Sequence, residues 1–476
     1  MFKNYSKISS LIKIIILIIS SILLGHAVTN NSSYAKKVSK NLDNIAPEIT
    51  SDSIAQTEFV RGKEIDLALK WKTPIGLTTF RSTISLANNL IIVGSNGESL
   101  SSLNDSQDGV YLINPKTGEI KRHIQNEMGE DSDINGVAIY GDNLFFGSDN
   151  SYLFSYSFDG NKNWSFATDG DVEGAPSLTD ITGDSFPDIV FTTENGSVYA
   201  LNGKDGALIW NFVAKMEQTP GKYEYLSSNA FMSSPAVFDI NQDGVKDVLV
   251  GARNAIFYAI DGKTGEVIWK YHTGSGIHSS AMVANVLGKQ QIIFAEAYSD
   301  IHILDNDGRL QNKKELYAYS QGIQGLFSSP VYTDKNNIVI GSSWWDNEDD
   351  GFWIVPLGYE NTEPQPQPLF LGVKNVSATP LIADIIGNQK SQIIIATEDG
   401  KLIISNEQGY ILATMSLESG VEATPLIADI DNDGKNELLI AARDGYLYCY
   451  ETNGSGIHWG QFRGNNLNTG VLKDRN

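Results

Sequence analysis

The sequence predicts an all-β protein, a β-propeller of eight blades that each hold four antiparallel strands. Residues 233–270 divide into four short apolar runs bounded by Gly, Asp and Asn clusters, which is typical of strands joined by hairpins. Copies of this unit recur at roughly 40–60 residues, the spacing of propeller blades. After the N-terminal apolar run, no segment shows sustained helical periodicity. Together these patterns favour repeated sheets over any helical fold.

Each blade opens on small residues, often followed by Pro, that lead into an apolar strand. A four-stranded unit cannot bury both of its faces alone, so the copies must pack against each other. Tight antiparallel hairpins favour radial packing over a solenoid, because a closed ring leaves only short sheet edges. The first two repeats are divergent, so seven blades is the alternative. The eight starts lie at residues 81–85, 136–139, 174–178, 233–237, 279–283, 328–331, 378–381 and 423–426.

The N-terminus has a different composition from the rest of the chain. Lysines at positions 3, 7 and 13 precede the apolar run 14–24, and small residues follow at positions 25 and 27. This is the pattern of a secretory signal, with an uncleaved membrane anchor as the alternative. We therefore predict a signal peptide at 1–27, a flexible linker at 28–65 and the propeller at 66–476. The expected location is periplasmic or extracellular, with no membrane span after cleavage.

Closure of the ring requires the two ends of the propeller to share a blade. Residues 67–72 carry Trp71 where residues 266–270 carry Trp269, so this segment resembles the last strand of a repeat. Residues 457–464 carry Trp459 and are the alternative. The sequence leaves this choice open.

The composition excludes several classes of function. A net charge of −22 disfavours nucleic acid and anionic membranes as partners. The single cysteine, Cys449, excludes an intrachain disulfide and lies in an apolar run typical of a buried side chain. The six histidines show no metal-ligand spacing, and neither a nucleophile elbow nor a phosphate loop is present. The sequence thus predicts no catalytic residues.

Three repeats carry an acidic loop between their first and second strands. Alternating oxygen side chains in a tight loop point at one centre, and Ca²⁺ prefers six to eight such oxygens. Two copies are complete and a third lacks the loop glycine, which predicts two to three structural calcium sites. The predicted ligands are Asp239, Asn241, Asp243, the carbonyl of Val245 and Asp247; Asp429, Asp431, Asp433, the carbonyl of Lys435 and Glu437; and Asp180, Thr182, Asp184 and Asp188.

Aromatic residues appear in two other recurrent places. Trp164, Trp210 and Trp269 end the fourth strand of successive repeats, where packing between blades is the favoured interpretation over ligand binding. The longer insertions fall on the rim opposite the acidic loops, and long loops on a rigid scaffold tend to carry binding residues. The candidate ligand-binding residues on this rim are Trp344, Trp345, Asp346, Tyr223 and Tyr225. A protein or a glycan is the expected partner.

The acidic loop followed by residues 258–270 (YAIDGKTGEVIWK) resembles the FG-GAP and PQQ-like β-propeller repeats. Residues 459–470 (WGQFRGNNLNTG) resemble a short signature of bacterial PQQ-like propellers. The resemblance implies a propeller fold and calcium in the blade hairpins. Relatives include quinoprotein dehydrogenases and non-enzymatic BamB-type assembly lipoproteins. The dehydrogenases have a vicinal cysteine pair beside their quinone, whereas this chain has only Cys449.

From these patterns we predict an exported, non-catalytic, calcium-stabilised scaffold that binds a protein or a glycan through the insertion-bearing rim. Pyrroloquinoline quinone (PQQ) is not expected as a cofactor. The alternative is a PQQ-dependent oxidoreductase, which rests on the family resemblance alone.

Overall fold

The computed structural model describes residues 63–98, 105–125, 133–217, 228–298, 300–316, 325–343, 351–357, 368–371, 373 and 375–472. These residues form eight sheets, one for each blade. Seven sheets have four antiparallel strands, and one has two further strands added to its four. The eight-bladed propeller is therefore confirmed, and the seven-bladed alternative is wrong. One helical turn lies in the described part, a 3-10 turn at Phe462–Gly464.

The first four blades follow each other without exchange of strands. Their strands are β3 (Ile84–Ala87), β4 (Leu90–Asn96), β5 (Asp108–Ile113) and β6 (Ile120–Ile124) in blade 1; β7 (Val137–Tyr140), β8 (Asn143–Ser148), β9 (Tyr152–Ser157) and β10 (Lys162–Ala167) in blade 2; β11 (Ser177–Thr179), β12 (Asp188–Thr192), β13 (Ser197–Leu201) and β14 (Leu208–Val213) in blade 3; and β15 (Ala236–Phe238), β16 (Asp247–Ala252), β17 (Ile256–Ile260) and β18 (Val267–His272) in blade 4.

The last four blades include the two ends of the described chain. Their strands are β19 (Met282–Val286), β20 (Lys289–Ala295), β21 (Asp300–Leu304) and β22 (Leu310–Glu315) in blade 5; β23 (Val331–Tyr332), β24 (Asn337–Gly341), β25 (Phe352–Pro356) and β26 (Leu369–Leu371) in blade 6; β27 (Leu381–Ala383), β28 (Gln392–Ala396), β29 (Lys401–Ser405) and β30 (Ile411–Ser416) in blade 7; and β31 (Leu426–Ala428), β32 (Glu437–Ala441) and β33 (Tyr446–Glu451) in blade 8. Three strands complete these sheets: β1 (Lys63–Glu64), β2 (Leu69–Pro74) and β34 (Ile457–Trp459).

The N-terminal strand β2 closes the ring. It pairs antiparallel with β33 and so supplies the outermost strand of blade 8. The preceding strand β1 lies within the segment predicted as linker and pairs parallel with β30 at the outer edge of blade 7. The N-terminal and C-terminal parts of the propeller therefore share the blade 8 sheet, and this pairing fastens the two ends of the ring together.

The tryptophans of the outer strands pack between blades, in agreement with the interpretation of their spacing in the sequence. Trp210 is 7% exposed and donates its indole N–H to the carbonyl of Gly262 in the next blade at 2.7 Å. Its ring covers Gly265, whose φ is +74°, and a Cβ there would approach the ring at 2.8 Å. Trp164 and Trp269 donate in the same way to Gly203 and Asn306.

The C-terminal segment, residues 457–472, lies inside the central channel rather than at an outer edge. Strand β34 pairs with β27, the innermost strand of blade 7. Backbone N–H groups on the inner strands of five further blades donate to its carbonyls: Ile139 to Asn466, Leu178 to Leu467, Val237 to Thr469, Val283 to Gly470 and Ile427 to Gly460, at 2.7–3.1 Å. Asn466 also bonds the carbonyl of Leu86 in blade 1, and His458 lies 3.2 Å from that of Tyr332 in blade 6. This segment, the channel plug, therefore touches all eight blades.

Residues 459–470 contain the side chains and turns that fix the course of the channel plug through the ring. Trp459 covers Gly464, whose φ is +75°. Arg463 is 2% exposed and donates to the carbonyls of Pro235 and Ala281. Burial lowers the pKa of its guanidinium to about 9. The sequence left two segments as candidates for the outermost strand of the last blade, residues 67–72 and residues 457–464. The structure places β2 there, so residues 457–464 do not form that outer strand.

The propeller has two different faces. The turns after the first and third strands of each blade form the loop face, which carries the acidic loops. The turns after the second strands and the connections between blades form the pocket face. No helix in the described part of the chain is long and apolar enough to cross a membrane.

Candidate metal loops and an axial pocket

Four loops between first and second strands share one backbone conformation. In blades 4 and 8, the fourth and sixth positions have positive φ, at Gln242 (62°) and Gly244 (90°) and at Asn432 (62°) and Gly434 (88°). Blades 3 and 7 reach the same conformation without glycine at the sixth position, because Ser185 and Gln389 adopt φ of 67° and 61° there. The missing glycine in the Asp180 copy therefore does not prevent the fold of the loop.

In blade 4, the first and last carboxylates of the loop brace its backbone. Asp239 accepts the N–H groups of Asp243 and Gly244 at 3.2 and 3.0 Å. Asp247, which is fully buried, accepts the N–H groups of Ile240 and Asn241. Burial raises the pKa of Asp247 to about 6, although these backbone hydrogen bonds oppose the shift.

Asn241 connects this loop with the adjacent turn. Its amide nitrogen lies 3.4 Å from Asp247 Oδ1 and 3.3 Å from Asp261 Oδ2, and its Oδ1 accepts the N–H of Asp243. The predicted ligands Asp239, Asn241, Asp243 and Asp247 thus belong to one hydrogen-bonded loop, with the carbonyl of Val245 next in the chain.

In blade 8, carboxylate oxygens of Asp429, Asp431 and Asp433 lie within 4.8 Å of one another. Asp431 Oδ1 is buried and has no hydrogen-bond partner. Three converging oxygens with one unsatisfied buried atom fit the ligand set that Ca²⁺ prefers. Glu437 closes the loop by accepting the N–H of Ile430 at 3.0 Å.

Lys70 of β2 enters this loop from the ring-closing strand. Its ammonium lies 2.7 Å from Asp431 Oδ2 and 3.1 Å from Glu437 Oε1. Burial opposes its charge, but these two hydrogen bonds outweigh burial and raise the pKa of Lys70. The hydrogen bond from Lys70 lowers the pKa of Asp431. A cationic side chain thus occupies part of the oxygen cluster of blade 8.

The weaker loop of blade 3 and the loop of blade 7 show what the conformation itself requires. Asp188 accepts the N–H groups of Ile181 and Thr182, each at 2.8 Å, while Lys204 lies 2.8 Å from Asp184. In blade 7 the neutral Gln392 takes the place of Asp188 and accepts the N–H of Ile385 at 2.8 Å. Since a neutral amide suffices there, the ninth position braces the backbone without needing a charge.

A shallow pocket that encloses room for about one water molecule lies on the propeller axis at the pocket face. Its walls are residues that precede the inner strands of five blades, and its floor includes Phe462 of the channel plug. Aromatic, hydroxyl and basic side chains all contribute. The lining residues are Phe80, Arg81, Met232, Ser234, His278, Ser280, Phe327, Ser329, Ser377, Thr379 and Phe462.

Hydroxyl groups join neighbouring blades around this pocket. Ser280 accepts the N–H of Ser234 at 2.9 Å, and Ser329 accepts the N–H of Ser280 at 3.1 Å. Thr424 accepts the N–H of Thr379 at 3.1 Å. The repeated small residues before each inner strand therefore hold the wall of the axial pocket in place.

The charged groups at the pocket are paired or neutral. Arg81 forms an ion pair with Glu173 and packs its guanidinium 4.5 Å from the centre of the Phe80 ring. Burial, with Arg253 and Arg81 nearby, lowers the pKa of His278 to about 3, so this imidazole is neutral at physiological pH. The ring of Phe327 packs edge-on against His278 at 4.8 Å. The site thus offers aromatic surface beside one pre-oriented cation.

The aromatic rim residues named above, Trp344, Trp345, Asp346, Tyr223 and Tyr225, lie outside the described residues. The axial pocket was not predicted from the sequence, because each repeat contributes only one or two of its residues. The only local signal was the recurrent small-residue opening of each repeat.

Two family descriptions match parts of the chain. Residues 384–469 match the lambda-carrageenase β-propeller domain, and residues 180–250 match the FG-GAP-like repeat. The first match begins after β27 and covers the rest of blade 7, strands β31 to β33 of blade 8 and most of the channel plug. The second spans the loops of blades 3 and 4. No curated protein matches the sequence.

Solved structures share the fold at low sequence identity. BamB from Moraxella catarrhalis is 16% identical with a TM-score of 0.55, covering 81% of this chain and 100% of its own. The quinohemoprotein alcohol dehydrogenase ADHIIG from Pseudomonas putida is 14% identical with a TM-score of 0.57, covering 84% and 79%. A europium-containing methanol dehydrogenase is 12% identical with a TM-score of 0.58, covering 84% and 88%. These likenesses show the propeller fold.

Proposed function

We propose that this chain is an exported, non-catalytic binding scaffold for a glycan or protein, that calcium stiffens its blades, and that its ligand docks at the axial pocket. The observation that carries the proposal is the composition of that pocket. Aromatic rings, fixed hydroxyls and one oriented guanidinium line a concavity on a closed, rigid ring. Ligand sites are typically concave and largely apolar, with few well-placed polar groups.

The pocket is a shallow concavity that encloses room for about one water molecule. A ligand therefore covers its mouth and inserts no more than a small group, and a globular surface does not enter it. Hydroxyl donors and acceptors beside Phe80 and Phe327 match the mixed polar and apolar faces of a sugar, so we favour the glycan.

The charge of the protein favours a neutral glycan over a sulfated one. The net charge of −22 repels polyanions at a distance, and Arg81 is already paired with Glu173. The partial match to a lambda-carrageenase propeller makes galactans a rational first series of ligands.

Binding of neutral agarose oligosaccharides is therefore expected to exceed that of λ-carrageenan oligosaccharides, as measured by isothermal titration calorimetry. Phe327→Ala removes one pocket wall and is expected to weaken binding at least 10-fold, whereas Tyr410→Ala removes an exposed ring outside the pocket and serves as the matched control. Binding unaffected by Phe327→Ala contradicts the axial site. Saturable binding of PQQ instead of any glycan would support the oxidoreductase alternative.

The calcium part of the proposal rests on the blade 8 and blade 4 loops. Lys70→Met is expected to lower stability in EDTA by about 1–3 kcal/mol, because Asp431 and the buried Glu437 lose a charged hydrogen-bond donor. Calcium is then expected to stabilise this variant more than the wild type, because the ammonium no longer competes. Ligand at about 100-fold its Kd contributes about 2.7 kcal/mol, which thermal unfolding detects.

Lys435→Met is the control for this calcium experiment. It removes a positive charge from the same loop, but its ammonium is 4.0 Å from Glu451 and half-exposed, so its effect should be small. Equal stabilisation of Lys70→Met and the wild type by calcium would show that Lys70 does not compete for the ion. No response in either would show that the acidic loops are plain turns.

A further inference from the structure

Blade 5 contains a buried cluster of metal-ligating side chains that the acidic loops do not include. Glu296 follows β20, while Asp300 and His302 lie two residues apart on β21 and so on one face of that strand. One ligand atom from each of the three lies within 4.8 Å of the others. Glu296 and His302 are each 3% exposed, and Asp300 is partly exposed at the pocket face.

His302 points an unpartnered nitrogen into this cluster. Its Nε2 is buried without a hydrogen-bond partner and lies 3.4 Å from Glu296 Oε2. Its other nitrogen, Nδ1, lies 3.1 Å from the hydroxyl of Tyr271 in blade 4. When Nδ1–H donates to that hydroxyl, the lone pair of Nε2 faces two carboxylates, and a cation bound between them satisfies all three groups.

The surroundings hold each ligand in position. Glu296 Oε2 accepts the N–H groups of Gly274 and Ser275 from the connection between blades 4 and 5, at 2.7 and 3.2 Å. Lys313 lies 3.1 Å from Asp300 Oδ2. Partners of this kind orient metal-binding carboxylates and select the tautomer of a metal-binding histidine. The cluster is therefore held in position by blade 4, by the connection between blades 4 and 5 and by blade 5 itself.

The distance between the ligand atoms of His302 and Glu296 suits a small divalent ion. Tetrahedral zinc sites have Zn–N and Zn–O distances of about 2.0–2.2 Å, which places neighbouring ligand atoms about 3.3 Å apart. The 3.4 Å between His302 Nε2 and Glu296 Oε2 matches one edge of that tetrahedron. One imidazole and two carboxylates leave a fourth position for water, and imidazole ligands favour Zn²⁺ over Ca²⁺ or Mg²⁺.

The other blades do not need this cluster to fold. At the positions equivalent by strand register, blade 3 has Thr193, Ser197 and Tyr199. Tyr199 stacks on Phe191 at 5.2 Å, as His302 stacks on Phe294 at 5.2 Å. The corresponding triplets are Thr397, Lys401 and Ile403 in blade 7 and Ala442, Tyr446 and Tyr448 in blade 8. None of these three blades has the acidic and imidazole ligands that blade 5 has at these positions.

We propose that Glu296, Asp300 and His302 bind a divalent transition-metal ion of the Zn²⁺ type, which fastens blade 5 to the blade 4 connection. This site is separate from both the acidic loops and the axial pocket. Because Asp300 is partly exposed, solvent and ion reach the site from the pocket face.

The test is titration of the EDTA-stripped full chain with Zn²⁺ by calorimetry, in excess Ca²⁺ so that the acidic loops do not respond. His302→Tyr places the blade 3 residue in the site and retains the stack on Phe294. We expect it to lose one Zn²⁺ equivalent while its unfolding midpoint in EDTA stays close to that of the wild type. Co²⁺ should give visible ligand-field absorption with the wild type and none from this site in His302→Tyr.

Two further variants keep the test decisive if His302→Tyr folds poorly. Asp300→Ser removes a ligand and is expected to weaken Zn²⁺ binding at least 10-fold. Tyr271→Phe removes only the hydroxyl that orients His302 and is expected to weaken binding about 10–100-fold. The proposal is overturned if Zn²⁺ stoichiometry and affinity are the same in all variants as in the wild type.

Discussion

Removal of residues 457–476 is expected to destabilise the propeller by at least about 5 kcal/mol. Five inner-strand N–H groups, those of Ile139, Leu178, Val237, Val283 and Ile427, lose their acceptors in the channel plug. Each backbone hydrogen bond contributes about 0.5–1.5 kcal/mol net. The buried rings of Trp459 and Phe462 are lost as well. Urea unfolding followed by circular dichroism measures the change.

A loss of this size is comparable with the total stability of many domains, so the truncated chain is expected to be largely unfolded at 25 °C. A synthetic peptide of residues 457–472 should then restore the folded signal when added in trans, since it carries all the described contacts of the channel plug. Removal of residues 473–476 alone is the control and should leave the midpoint unchanged. An unchanged midpoint after the longer truncation would show that the blades close without the channel plug.

Trp71→Ala is expected to cost about 3–5 kcal/mol, the usual range for truncation of a buried tryptophan. Trp71 is 9% exposed and lies on the ring-closing strand β2. It donates its indole N–H to the carbonyl of Pro115 in blade 1 at 2.9 Å and covers Gly118. The same side chain therefore fastens the strand of blade 8 to blade 1. Urea unfolding provides the midpoint and the slope for this variant.

Trp71→Phe separates the hydrogen bond from the apolar contact. It retains most of the ring and is expected to cost about 1–2 kcal/mol, mainly the hydrogen bond. Trp164→Ala makes the equivalent truncation between blades 2 and 3 and controls for generic loss of packing. If Trp71→Ala is no more destabilising than Trp71→Phe, the indole contact does not contribute to ring closure.

The strand content, the blade count and the shape of the acidic loops were predictable because they depend on local spacing. Alternation and turn residues specify each hairpin within about 20 residues. The positions of Asp239, Asp243 and Asp247 specify a loop in which side chains bind nearby backbone N–H groups. Even Ser185 follows the loop conformation, since the surrounding carboxylates brace the same N–H groups.

The cluster of Glu296, Asp300 and His302 was not predicted from the sequence. Spacing among histidines carries no signal for it, because His302 lies beside two carboxylates across a turn between strands. The alternation of Asp300 and His302 places them on one face of β21, and this local signal was present in the sequence. The contribution of Tyr271 from blade 4 was not, because it depends on how two blades pack.

The sequence by itself determined the repeating sheet and its turns, whereas only the tertiary structure decided how the ring is closed and filled. Trp71 and Trp459 have similar local contexts, yet one belongs to an outer strand and the other to the channel plug. The difference arises because β2 pairs with a strand more than 370 residues away, and local preferences carry no information about such pairings. The axial pocket likewise exists only once the ring brings Arg81, His278 and Phe327 to the axis, where Phe462 forms its floor.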